Sequence, residues 1–286
     1  MINKSFWISM LALVCVGIYL FVSAPPPLPE TARMQPSIPV ERLFDLLQAE
    51  NAAVRAMWTQ EIVGQGKKVG LKFDEHWRDA DLEAGPLPAL FLRETAKNLE
   101  KSPVRISLFL GSDYPISSDN RFEGLQKDKF AVLRQTQQPQ YFYIPDIDRH
   151  TAMFADVAVA EPCVECHNKH EQSPKHDWRL HDIMGATTWM YPASRVSVEE
   201  ILHALTVLHN GFYEAYSTYL DKVKLFKLPP VIGDKWPRDG YFLPSTETFM
   251  QAVLERTAQH TLMALGALAV VKKNGTVEEK PHVDTQ

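Results

Sequence analysis

Residues 161–178 read EPCVECHNKHEQSPKHDW. Both cysteines that lie outside the apolar N-terminus, Cys163 and Cys166, sit in this stretch, and His167 follows at once. A chain with 3 Cys and 10 His in 286 residues is expected to contain roughly 0.001 such Cys-x-x-Cys-His strings by chance. The spacing suits covalent attachment of one c-type haem: two thioether bonds reach the two vinyl positions of the macrocycle, and the next histidine comes under the iron as its proximal ligand. Two other chemistries use the same residue types. Zinc would take Cys163 and Cys166 with two of His170, His176 and His181, although no second cysteine pair exists to complete the common pattern. A redox dithiol belongs at the start of a helix in a thioredoxin-like βαβ setting, which the flanking sequence does not offer.

The N-terminus favours haem, because c-type haem is attached outside the cytoplasm. Lys4 precedes an uncharged stretch from Phe6 to Ala24, which fits a signal anchor over residues 1–24. The expectation is a single pass through the cytoplasmic membrane with the bulk of the chain on the periplasmic, extracytoplasmic side. The alternative is cleavage after Val22-Ser23-Ala24 and a soluble periplasmic protein, which Pro25 opposes. Cys15 lies within the apolar run and reads as a lipid-facing thiol. A net charge of −5 without any Lys/Arg-rich block excludes a nucleic-acid footprint.

Six prolines between 25 and 39 make a stiff spacer. Apolar residues at helical spacing from Val40 to Val63 predict a helix ending near Gly64 and Gly66, and Pro86 to Leu99 predicts a second. Val104 to Leu110 reads as a strand, and Asp119 is placed to cap a helix carrying Phe122, Leu125, Phe130 and Leu133. Tyr141 to Ile144, Ala152 to Val159 and Ile183 to Met190 read as further strands, with a haem loop between the last two. That order gives an α+β domain with an antiparallel sheet flanked by helices over residues 40–192. Residues 193–272 read as a helical extension with long helices from Val198 and Thr246, and 273–286 as a mobile tail. No internal repeat is legible.

The string Cys-x-x-Cys-His-Asn-x-His-x-x-Ser-Pro-Lys-x-Asp-Trp from Cys163 to Trp178, followed by Asp182-Ile183-Met184-Gly185, resembles the PAS-like c-type haem domain of small cyanobacterial haem proteins and of bacterial cyclases, chemoreceptors and histidine kinases. Pro86-Leu87-Pro88-Ala89 and Ser112-Asp113-Tyr114-Pro115 fit the same resemblance. It implies a PAS-like fold, one covalently attached haem c and a redox or sensory role. Some members supply a cysteine as sixth iron ligand; the aligned residue here is Arg93, which cannot ligate iron. The distal side is then a histidine, a methionine, water or empty; the candidate side chains are Met57, His76, His150 and Met153, each with an ordinary alternative as core or solvated residue. Lys175, Trp178 and Arg105 are candidates to wall the haem or meet its propionates, or simply to pack the loop on itself.

A single N-terminal anchor leaves the chain no cytoplasmic effector of its own, and residues 193–286 carry no phosphate-binding glycine loop. The function expected is electron transfer, or redox sensing through a partner protein. Gas sensing is the alternative, and a haem enzyme ranks last: it needs an open iron site and a distal acid or base, which Arg93 and the nearby histidines permit without supporting. The expected partners are haem, a redox or signalling protein, the membrane, and a second copy in a homodimer.

Overall fold

A computed structural model describes residues 4–23 and 37–274, so Met1 to Asn3, Ala24 to Pro36 and the tail from Gly275 lie outside the described residues. The chain divides into two compact units, one up to Pro36 and one from Ser37 onward. In the first, α1 (Lys4–Val22) is a 19-residue helix. Among the described residues no helix is long and apolar enough to cross a membrane.

The second unit runs β1 (Ser37–Pro39), α2 (Val40–Met57), α3 (Gln65–Lys68), β2 (Phe73–Asp74), β3 (Gly85–Pro86), α4 (Pro88–Glu100), β4 (Ser107–Gly111) and α5 (Gly124–Thr136). It continues through β5 (Gln140–Ile144), β6 (Arg149–Val157), α6 (Glu161–Lys169), β7 (Ile183–Tyr191), β8 (Arg195–Ser197), α7 (Val198–Val223), β9 (Ile232–Gly233), β10 (Leu243–Pro244) and α8 (Thr246–Asn274). The four strands β4-β7-β6-β5 form an antiparallel sheet, in which Phe109 is opposite Thr188 and Ala152 opposite Trp189. The α+β class read from the sequence is the class observed.

Each face of the sheet is covered, as the alternation of its side chains requires. On one face, Trp189 donates its indole N–H to Gln48 of α2 across 3.0 Å. On the other, Phe122, Phe130 and Leu133 enclose Met153 and Ala186. The helix there begins at Gly124, after Phe122, and Asp119 lies in a separate short turn, Ser118–Asn120, without capping it. The leading helix does not stop at Gly64. It passes through a widened turn, Trp58–Gly64, and continues to Lys68, because the turn keeps Trp58 and Ile62 fully buried.

Helices α2, α4, α7 and α8 pack as a bundle, with α4 against α7 and α2 against α8. Trp58, Phe91, Phe212, Tyr216, Tyr219 and Phe249 are all buried in its centre. Residues of 193–272 therefore share one core with those of 40–192 rather than forming a detached module. Ser197 opens α7 with a reciprocal cap: its hydroxyl accepts from the Glu200 N–H at 3.2 Å, and the Glu200 carboxylate accepts from the Ser197 N–H at 2.7 Å. The bundle corrects the sequence reading in one respect, since it contains an internal repeat. The succession strand, helix, paired short strands, helix over 37–100 recurs over 195–274. Few positions keep the same residue in both halves, which is why the sequence hides it.

Candidate functional site

The first part of the segment read as a loop, Glu161–Lys169, is a helix, and the rest returns as a loop. Glu161 and Pro162 form the first turn of α6, where proline costs no helical hydrogen bond. The helix then carries Cys163 and, one turn on, Cys166 and His167. Both thiols are free, Cys166 exposed and Cys163 half-buried. Val164 anchors the helix in a small apolar cluster with Ala158, Trp178 and Met184. Although Cys163 stands near a helix start, the main sheet is antiparallel throughout, so the βαβ setting of a thioredoxin-like dithiol is not there.

The chain after α6 folds back on the helix, and the polar residues of the 161–178 string close it. Asn168 donates from its amide to the Trp178 carbonyl at 2.9 Å and accepts from the Trp178 N–H at 2.8 Å. The Asn168 carbonyl accepts from His176 Nδ1 at 2.8 Å, which fixes that tautomer because a carbonyl cannot donate. Lys175 lies 4.7 Å over the Trp178 ring and pairs with Asp177. Tyr114 meets the same ring edge-on at 6.1 Å. Ser112 donates to the Met184 carbonyl at 2.5 Å and accepts from the Tyr114 N–H at 3.1 Å. Beside them Gly185 lies so close to β4 that a Cβ would meet the Gly111 oxygen at 2.5 Å. Lys175 and Trp178 thus pack the loop on itself, and Arg105 is exposed ahead of β4.

Burial, and next to it the neighbouring His170, lowers the His167 pKa. Its Nδ1 is buried without a hydrogen-bond partner. A neutral imidazole is the form that ligates iron, so His167 with two free thiols on the same helix fits the donor set of a c-type haem. Although Cys166 reaches solvent, partial desolvation of its thiol, and then the Glu75 carboxylate, raises its pKa. His170 Nδ1 accepts from the Gln172 N–H at 3.1 Å, so its Nε2 carries the proton and donates to Glu75 at 2.9 Å. With His170 on Glu75, His176 on Asn168 and His181 held in a left-handed turn at φ 72°, the zinc set is not drawn together. Among the described residues no group of three or more His, Cys, Asp or Glu converges as a metal site.

The candidates for a sixth ligand are dispersed. Met57 is buried in the bundle core and Met153 in the core behind the sheet. His150 lies on β6 with its ring 5.0 Å from Tyr143. His76 is the one brought to the side of α6: its Nε2 lies 3.7 Å from the Glu75 oxygen that His170 also uses. Arg93 is half-buried on α4, where burial lowers its pKa and its Nε has no partner. It lines a shallow cavity with Leu108, Phe109, Leu110 and Asn120. Glu75 had no signal in the sequence, since it reaches the site from a turn far upstream of Cys163.

Comparison with known proteins places this arrangement. The sequence model of the Tll0287-like family matches residues 40–192, just over half of the chain and the whole of the sheet with α6. No curated protein and no solved structure matches. The chain belongs to the Tll0287-like family, a family of PAS-like c-type haem domains.

Proposed function

We propose that this protein is a membrane-tethered, extracytoplasmic monohaem c-type cytochrome that exchanges electrons with a partner protein, or reports its redox state to one. The observation that carries this reading is the placement of Cys163, Cys166 and His167 together on α6, a helix lashed to its own return loop by Asn168 and to the bundle by His170 and Glu75. Cys163 and Cys166 would hold the haem through thioethers and His167 would ligate its iron; when bound, the haem supplies one reversible electron. The exposure of Cys166 supports exchange with an outside partner, because an attached group there is reachable from the surface. His76 leads the sixth-ligand candidates by proximity to α6.

The extension over 193–272 contributes helices to the common core, and its part in this reading is to hold α2 and α4. The tether rests on sequence alone, on the uncharged stretch from Phe6 to Ala24 after Lys4.

The test is the mass of the purified protein with its visible spectrum. A Soret band and an added mass of one haem, with covalent haem staining lost in Cys163→Ala and Cys166→Ala, are expected; a bare polypeptide mass with no Soret band overturns the reading. Redox titration with carbon monoxide separates the roles. An iron indifferent to carbon monoxide supports electron exchange, whereas tight binding points to gas sensing. In His76→Ala, loss of a six-coordinate spectrum identifies that ligand.

A further inference from the structure

One displacement along the chain relates its two helical halves. Strands β1 and β8 pair antiparallel as Ser37 with Ser197, Ile38 with Val196 and Pro39 with Arg195. Ile38 thus faces the residue 158 places later, 38 to 196, and the flanking pairs exchange places about it, as they do around a two-fold axis. Helices α2 and α7 begin at Val40 and Val198, the same displacement again.

The interior repeats the relation in detail. Trp58 donates to the Pro86 carbonyl at 3.1 Å and stacks on Phe91 at 4.1 Å and 11°. Tyr216 donates to the Pro244 carbonyl at 2.8 Å and stacks on Phe249 at 4.0 Å and 13°. All three pairs, 58 to 216, 86 to 244 and 91 to 249, keep the same displacement. The short parallel pairs β2–β3 and β9–β10 also correspond. The packing is exchanged between the halves: α4 of the first lies on α7 of the second, and α8 of the second lies on α2 of the first. This is the pattern of an isologous dimer interface, self-complementary by construction. The halves differ in their continuation: α4 leads into the sheet and α6, and α8 runs to Asn274, the last described residue.

We propose that residues 195–258 are an in-chain substitute for a second copy of residues 37–100. They occupy the face of α2 and α4 that would otherwise join two chains, so the protein is a monomer with one Cys-x-x-Cys-His helix per bundle. The contacts that break the symmetry favour the in-chain partner. Buried Glu50 accepts from His209 at 2.6 Å and from Thr261 at 2.5 Å, and Arg256 meets both Glu61 oxygens at 2.5 and 2.7 Å. In a symmetric pairing of two first halves, the places of His209 and Arg256 would fall to Asn51 and Asn98. Glu50 would then lose the imidazole and Glu61 the guanidinium that they meet in the natural chain, a penalty directed against self-association.

The test uses the full chain in detergent with residues 195–258 replaced by a second copy of 37–100, made with and without Asn51→His and Asn98→Arg in that copy. Sedimentation and thermal melting are the readouts, neither of which needs haem. The expected results are a monomeric natural chain, a monomeric replaced chain with a cooperative melt, and a melting temperature several degrees higher when the two substitutions are present. An aggregated or non-cooperative replaced chain, no gain from the substitutions, or a natural chain that sediments as a dimer overturns the proposal.

Discussion

His170 Nε2 donates a hydrogen bond to Glu75 across 2.9 Å, joining the segment just past α6 to the turn between β2 and β3. Glu75→Ala removes that link while leaving α6 its own contacts with the return loop. The pair is partly exposed, so a loss of about 1 kcal/mol is expected. Glu75→Gln retains an acceptor and is expected to lose less. Chemical denaturation of the two variants beside the parent measures the difference, and an equal loss in both removes this bond from the account of how α6 is held.

Gly185 fills a place where no side chain fits, with the Gly111 oxygen 2.5 Å from where its Cβ would stand. The obstacle is the backbone of Gly111, the last residue of β4, and not a side chain that can swing aside. Gly185→Ala is expected to separate β4 from β7, to disturb the Ser112 bond to Met184, and to cost about 2 kcal/mol or more. A melt unchanged by the substitution contradicts this close approach.

Phe91 is fully buried between Trp58 and Phe212, stacked at 4.1 and 6.4 Å. Phe91→Ala leaves a cavity at the point where the two halves meet, and about 3–5 kcal/mol of stability is expected to go with it. Phe91→Leu keeps most of the volume and is expected to retain more than half of that. Urea titration followed by tryptophan fluorescence gives both values.

Glu94 is buried on α4 and bonded by Arg78 and by Lys97 at 3.0 Å. Burial pushes its carboxyl pKa up, but the hydrogen bonds and charges of Arg78 and Lys97 outweigh it, and the net shift is downward. A depressed carboxyl contributes stability that is complete above the ordinary Glu value of about 4.3 and disappears as pH falls through the lower folded value. Glu94→Gln is expected to be less stable than the parent at pH 7, with the gap closing below about pH 4. Melts across pH 3–7 track it, and a gap constant over that range rules out the ion pairs as its source.

The legible part of this fold is the part with local cause. Strands β5 and β7 and the starts of α4, α7 and α8 follow from alternation, helical spacing and proline placement close to each element. Asp119 shows where local signals fail: a good capping residue stands ahead of an apolar helical pattern, yet the helix begins five residues later because Phe122 is drawn into the core with Phe130. The continuation of the leading helix past Gly64 fails similarly, since tertiary burial of Trp58 and Ile62 outweighs the breaking tendency of two glycines.

By itself the sequence determined the chemistry of the candidate site, because Cys163, Cys166 and His167 lie within one short segment whose spacing is fixed covalently whatever surrounds it. Asn168 and Trp178, which hold that segment, were in the same string. Tertiary structure alone decided that Glu75 would reach His170, that Met57 and Met153 would be enclosed in separate cores, and that residues 37–100 and 195–258 would pair about a common axis. Those relations join positions far apart in the chain through shape and hydrogen-bond geometry. Trp58 and Tyr216 perform the same two tasks with different side chains, so residue identity keeps only scattered traces, such as Pro86 with Pro244 and Phe91 with Phe249, of a correspondence that backbone position and packing keep.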